Sequence, residues 1–174
     1  MQSQKYWSKF LMLENLDEPY QLRGYMVQAR TNREIAQFAV QLFINFINNG
    51  IQTPNIENLI DILSEQDISI HIETNAKWDR VHSIHKKGES TPSKKEIVIP
   101  KRVFDGAKKL NTEDLEVFFH EIGHVILKHS PIYMKSEGYV ITEIDDAEAQ
   151  ADYFAEIMLK LFDIKTTPKQ LSLF

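Results

Sequence analysis

The chain has no cysteine among its 174 residues, which excludes disulfide frameworks, cysteine-bound zinc and thiol catalysis together. Any metal chemistry has to use histidine and carboxylates. No apolar run approaches the roughly 20 residues that span a bilayer. The opening MQSQKYWSKFLMLENL lacks the basic start, sustained apolar stretch and cleavage site of a secretory leader. A cytoplasmic protein without membrane contact is therefore expected. Basic charge is also short: the net charge is -5 and the pI about 5.7, so no basic face is expected to displace counterions from a nucleic-acid backbone. Six glycines and six prolines are too few for a collagenous or low-complexity chain.

What remains is an ordinary globular composition, 43% hydrophobic and 26% charged, long enough for one core. The reading is a single α+β domain over 1–163, with a flexible tail over 164–174. Trp7, Phe10 and Leu11 have helical spacing within Ser3 to Leu13, whereas Glu14 to Arg30 has no clean period. Thr31 and Glu34 have the form of a capping box before an apolar stripe of Ile35, Phe38, Leu42, Phe43, Phe46 and Ile47 that ends at Gly50. Thr53 and Pro54 then read as the cap and first position of a shorter helix carrying Ile56, Leu59, Ile60 and Leu63.

The period next changes to two. Ile68, Ile70 and Ile72 alternate with polar residues as in a strand with one buried face. Val81 to Lys86 and Glu96 to Ile99 read as further strands, giving a small, mostly antiparallel three-stranded sheet. Lys86 to Lys95 is polar with Gly and Pro punctuation, and reads either as a solvated surface loop or as a mobile loop near a site. From Asn111 or Thr112 a helix is predicted through Ile126 until Pro131 stops it. A last helix is predicted from Asp145, whose spacing to Glu148 suits a capping box.

These last two helices carry the chemistry. His120-Glu121-Ile122-Gly123-His124 is an H-E-x-x-H run, and residues four apart on a helix share a face about 6 Å apart along the axis. Both imidazoles can reach one ion, and Glu121 can lie beside its open position to take a proton from a water. By composition alone such a run arises in on the order of one in two hundred chains of this length, so its surroundings decide. The flanking Phe118, Phe119, Val125, Ile126 and Leu127 suit a buried helix, whose polar groups need a common partner.

A third ligand is required. Leu127 and Ser130 stand where the longer H-E-x-x-H-x-x-G-x-x-H signature has Gly and His. His129 comes one residue too early and reads as a helix-end histidine interacting with the helix dipole. The candidate is Glu148, 24 residues past His124. Asp152, one turn on, is placed to accept the second ring proton of a ligand histidine. Glu143, Asp145 and Asp146 are assigned to the helix N-terminus, where negative charge is favoured.

The run Phe119 to Leu127, followed by Glu148-Ala149-Gln150-Ala151-Asp152-Tyr153-Phe154-Ala155, resembles the ImmA/IrrE metallopeptidases, whose zinc-ligand Glu lies in an E-x-x-A-[ND]-x-F-A segment. The likeness covers roughly residues 32 to 162 and leaves out the first thirty, an N-terminal extension. It implies a zincin-like, gluzincin-like fold, Zn2+ held by His120, His124 and Glu148, and Glu121 as base. It also implies cleavage of a helix-turn-helix repressor, as in mobile-element and DNA-damage switches. Asp152 stands at a position that is often Asn in that family, and the usual Pro after the last helix is missing near Leu161 to Lys165. For a donor to the transition-state oxyanion, Tyr133, Tyr139, His82 and His85 are unranked candidates. On a strand over 81–86, His82 and His85 would face opposite ways.

The last five residues, Gln170-Leu171-Ser172-Leu173-Phe174, are similar to the bacterial sliding-clamp-binding motif, which inserts Leu and Phe into clamp pockets. Packing of the same residues onto the chain's own core or onto a dimer partner is the other reading. The expectation is thus a zinc endopeptidase brought to the clamp by its tail. The rival is a non-catalytic or toxin-like clamp-binding protein with a structural metal.

Overall fold

The computed structural model describes residues 19–82, 85–133 and 136–165. The helical spacing within Ser3 to Leu13 and the motif at 170–174 lie outside the described residues. Within them the chain is α+β, with six α-helices and a three-stranded mixed sheet.

Helix α1, Asn32–Asn48, begins at the predicted capping box: the Thr31 hydroxyl accepts from the Glu34 N–H, and the Thr31 N–H donates to the Glu34 carboxylate. It buries Ile35, Ala39, Leu42 and Phe46. Helix α2, Ile56–Ser64, starts later than Thr53 and Pro54 suggested, because the Asn55 side chain takes the Asn58 N–H and so becomes the cap. Strand β1, Ser69–Glu73, follows. The predicted alternation fails at its far end, where Ile72 is 44% exposed, because β1 is a sheet edge that outruns its cover.

Among the described residues of 81–86 the expected strand does not form. Thr74 caps a short helix α3, Asn75–Val81, whose buried Trp78 donates its indole N–H to the Lys86 carbonyl. Burial of that ring sets a helical turn where a few β-branched and polar residues mimic a strand. The strand that does form, β2 (Glu89–Thr91), lies inside the polar stretch read as a loop. After a 3-10 turn, β3 (Glu96–Pro100) runs between the other two. The sheet is not mostly antiparallel: β1 pairs with β3 in parallel over five residues, and β2 pairs with β3 antiparallel over three. The crossover through α3 and β2 allows the parallel pairing, which a hairpin cannot.

Helix α4, Lys101–Lys108, leads into α5, Thr112–Ile126, capped by the Asn111 side chain on the Asp114 N–H. Helix α5 ends before Pro131 acts: Leu127 is its C-cap, and Lys128 turns the chain with φ of 53°. The last helix, α6 (Ala147–Leu161), is capped by Asp146. Asp145 instead closes a capping box with Thr142 around the preceding 3-10 turn and accepts from the Tyr139 hydroxyl.

Helix α5 lies at the centre, against α4, α6 and the β2–β3 side of the sheet, while α1 packs on α6. Phe118, Phe119, Leu115 and Ile122 of α5 are fully buried with Phe154, Ala155, Met158 and Leu159 of α6. Phe162 stacks on Phe119 at 5.8 Å and meets Phe43 edge-on at 5.0 Å, so α1 is pinned to the same pair. Phe154→Ala, which empties the centre of this interface, is expected to cost about 3–5 kcal/mol. A lowered urea midpoint at unchanged m-value is the measurement that checks it.

Candidate metal centre

One face of α5 presents His120 and His124 to the first turn of α6, which presents Glu148. The two Nε2 atoms are 3.0 Å apart. A Glu148 oxygen lies 3.3 Å from that of His120 and its other oxygen 3.5 Å from that of His124. Three ligand atoms thus converge in a group that could hold a metal ion. Asp152 stands one turn beyond Glu148, and its carboxylate takes the His120 Nδ1–H at 2.8 Å while its other oxygen pairs with Arg23 at 2.7 Å. Glu121 points into the same cleft, of about 840 Å³, together with Tyr25, His85, Gly88, Ser90 and Glu116.

The charges differ sharply across this small group. Burial works against a charged His120, but its hydrogen bonds to Asp152 and Glu148 outweigh this and hold the imidazolium up to about 10. Burial, then the neighbouring His120 and His129, pushes His124 down to about 3. Asp152 is held down at about 2: burial opposes ionisation, and the bonds from His120 and Arg23 overcome it. Glu148 lies below its ordinary value chiefly through the His120 hydrogen bond. Burial raises Glu121.

Two glycines make room for these carboxylates. A Cβ on Gly24 would lie 2.7 Å from the Glu148 Cγ, and one on Gly88 would lie 2.6 Å from a Glu121 oxygen. Gly24 belongs to a segment that no periodicity or motif places here. Residues 20–30 run along the start of α6 and are held at many points. Asp146 takes the Tyr20 hydroxyl and the Arg23 and Gly24 N–H groups. In addition, the Tyr25 carbonyl accepts from the Ala147 N–H, and the Val27 N–H donates to the Asp145 carbonyl. Arg23 and Tyr25 are therefore site residues from a stretch without periodicity. The only signal available was composition: Tyr20, Arg23, Gly24 and Tyr25 cluster within six residues.

The four oxyanion candidates fare differently. Tyr133 is 88% exposed, and Tyr139 is bonded to Asp145. His82, the C-cap of α3, stacks on Trp78 at 4.0 Å and faces Glu89. Only His85 of the four lines the cleft. Tyr25 lines it as well, and burial, followed by the charges of Glu148 and Glu121, raises its phenol, which keeps it a donor.

His129 corrects the sequence reading most. It is buried, not held at the helix end by the dipole. The helix stops at Ile126 and the left-handed Lys128 folds the chain back, so His129 lies beyond the helix and turns inward. The His129 ring lies beneath His124, with Nδ1 to Nδ1 at 2.8 Å, and its Nε2 meets the Gln150 Oε1 at 3.1 Å.

Compared with protein-family models, curated proteins and solved structures, the chain gives no match. The site rests on its own geometry.

Two outcomes follow. Gly24→Ala pushes the Glu148 carboxylate out of place and should weaken divalent-metal binding roughly ten-fold or more, the scale of a change in the outer shell, as read by competition with a chromophoric chelator. Asp146 is held below the ordinary carboxylate value: burial opposes this, but the Arg23 N–H, the Tyr20 hydroxyl and the Glu148 and Gly24 N–H groups outweigh it. Its contribution is complete above the unfolded value of about 3.9 and is lost as pH falls through the lower folded value. Asp146→Asn should therefore destabilise the chain at neutral pH, with the difference from wild type narrowing below about pH 4 in urea titrations.

Proposed function

We propose that the chain is a zinc-dependent endopeptidase of the ImmA/IrrE kind. The observation that carries this reading is the convergence of His120, His124 and Glu148, the two Nε2 atoms 3.0 Å apart and the two Glu148 oxygens 3.3 and 3.5 Å from them, with the Glu121 carboxylate in the same cleft. Ligand bonds of about 2.0–2.1 Å at tetrahedral angles put donors roughly 3.3–3.4 Å apart. Three protein ligands with a fourth position left free are the arrangement of a catalytic zinc, whereas a structural site closes with four.

A zinc ion held by His120, His124 and Glu148 would supply Lewis acidity at such a site. Glu121 takes the proton from the attacking water and delivers it to the leaving amine, a role for which its raised pKa suits it. The Tyr25 phenol, kept protonated in the cleft, is the candidate donor to the developing oxyanion. A polypeptide substrate is favoured by β2, which pairs only with β3 in this sheet and whose Glu89 and Ser90, with Gly88 just before them, border the cleft. An extended chain can hydrogen-bond to such an edge.

The proposed substrate is a helix-turn-helix repressor, a choice supported by the family resemblance of 119–127 and 148–155. The proposed role of Gln170 to Phe174 is to bind the sliding clamp and bring the peptidase to it. The placement of Glu121 weighs against a structural metal in a non-catalytic clamp binder, because such a site has no use for a base.

Glu121→Gln should keep the metal and lose about 10²–10⁴-fold in hydrolysis. Used as bait in the native host, with and without its last five residues, it is expected to retain a helix-turn-helix repressor that the wild-type, zinc-loaded chain cuts. Recovery of the clamp should depend on the tail. Recovery of the clamp alone, with no cleavage by the zinc-loaded chain, would overturn the peptidase reading in favour of the clamp binder.

A further inference from the structure

Behind His124 lies a chain of hydrogen bonds whose direction can be read from its far end. The Gln150 side chain is buried, with Nε2 2.9 Å from the Gln28 carbonyl and 2.7 Å from the Ile144 carbonyl. Main-chain carbonyls only accept, so the amide nitrogen must face them; the flipped amide would set oxygen against two oxygens. The Gln150 Oε1 is left as an acceptor, and the ring nitrogen facing it, His129 Nε2 at 3.1 Å, must carry a proton. A neutral imidazole has one N–H. His129 Nδ1 is then a bare acceptor, and the His124 Nδ1 opposite it at 2.8 Å must carry a proton in turn. The lone pair of His124 falls on Nε2, the atom that faces His120 and Glu148.

We infer that His129 and Gln150 are positioning residues that lock His124 in the tautomer a metal ligand needs, with the Gln28 and Ile144 carbonyls as the fixed end of the relay. The inference rests on the metal reading for its purpose, but the tautomer it specifies belongs to the metal-free chain as well. It also accounts for the placement of Gln28, since the main chain of the N-terminal extension holds the amide that orients the histidines. His120 is oriented by another device, the Asp152 carboxylate. The two ligand imidazoles are thus set independently, one by an anion and one by a neutral relay.

Burial of all three side chains supports this arrangement. His124, His129 and Gln150 are 5%, 4% and 1% exposed, so water has little access to exchange the partners. A purely packing role for His129 would leave the ring free to adopt either tautomer. A role as a fourth ligand is excluded by its position, because its ring meets the far nitrogen of His124 and not the donor group.

The test uses the full-length chain. Long-range 1H–15N correlation spectra of the metal-free wild type should show His124 with its proton on Nδ1 and His129 with its proton on Nε2. The opposite tautomer at either residue, or a mixture, overturns the relay without any variant having to fold. In the second arm, Co2+ is titrated and its visible absorption followed. His129→Leu and Gln150→Leu should bind about 10–100-fold more weakly. His129→Gln, whose amide offers an oxygen to His124 and an N–H to Gln150, should recover most of the loss and the wild-type spectrum. Equal affinities and spectra in all four proteins overturn the relay and leave the metal reading in place. A wild-type chain that binds no Co2+ overturns the metal reading itself, and with it the purpose assigned to the relay.

Discussion

The close approach of α5 and α6 at Gly123 is the constraint on which the site depends. A Cβ at that position would stand 3.1 Å from the Phe154 ring and 3.2 Å from its Cβ, tighter than packed side chains normally come. With no side chain there, α5 can lie against α6 closely enough for Glu148 to reach both imidazoles. The histidines on either side of that glycine belong to the polar end of an interface whose other end is wholly apolar, with Phe119, Phe154, Met158 and Phe162. Core packing and donor convergence are therefore one geometric fact: the phenylalanines fix the interhelix distance, and the histidines and Glu148 use it.

Much of this was legible in the chain. The caps and apolar stripes of α1 and α5 are local signals, and a local hydrogen bond at Thr31 or Asn111 decides each start without reference to the rest of the fold. H-E-x-x-H placed two donors on one face by helix geometry alone. Spacing only nominated Glu148; that it meets them required the turn 127–146 to bring α6 back, which no periodicity encodes. The failures share a cause. Val81 to Lys86 looked like a strand because short mixed runs fit either period, and the decision was made by Trp78, whose indole needs both burial and a carbonyl partner. Residues 20–30 showed no period because they form neither helix nor sheet. Their order comes from Asp146, more than a hundred residues away.

The two orienting devices follow a gradient of burial. Asp152 keeps about a third of its side chain exposed and has Arg23 beside it, so a full negative charge behind His120 is sustained by solvent and a counter-ion. On the other side His124 sits against His129 and Gln150 in the interior, where an ionised carboxylate would lose its hydration. A relay of neutral groups ending on main-chain carbonyls delivers the same orientation at no charge. This also limits the negative charge near the donor group. A second carboxylate behind His124 would raise the basicity of that ligand and draw down the electrophilic character of an ion held there. The proposed neutral relay would leave Glu148 as the one anionic member of the candidate donor group. Such a balance suits the proposed role, in which a bound ion would polarise a substrate carbonyl, better than a site that merely stapled two helices.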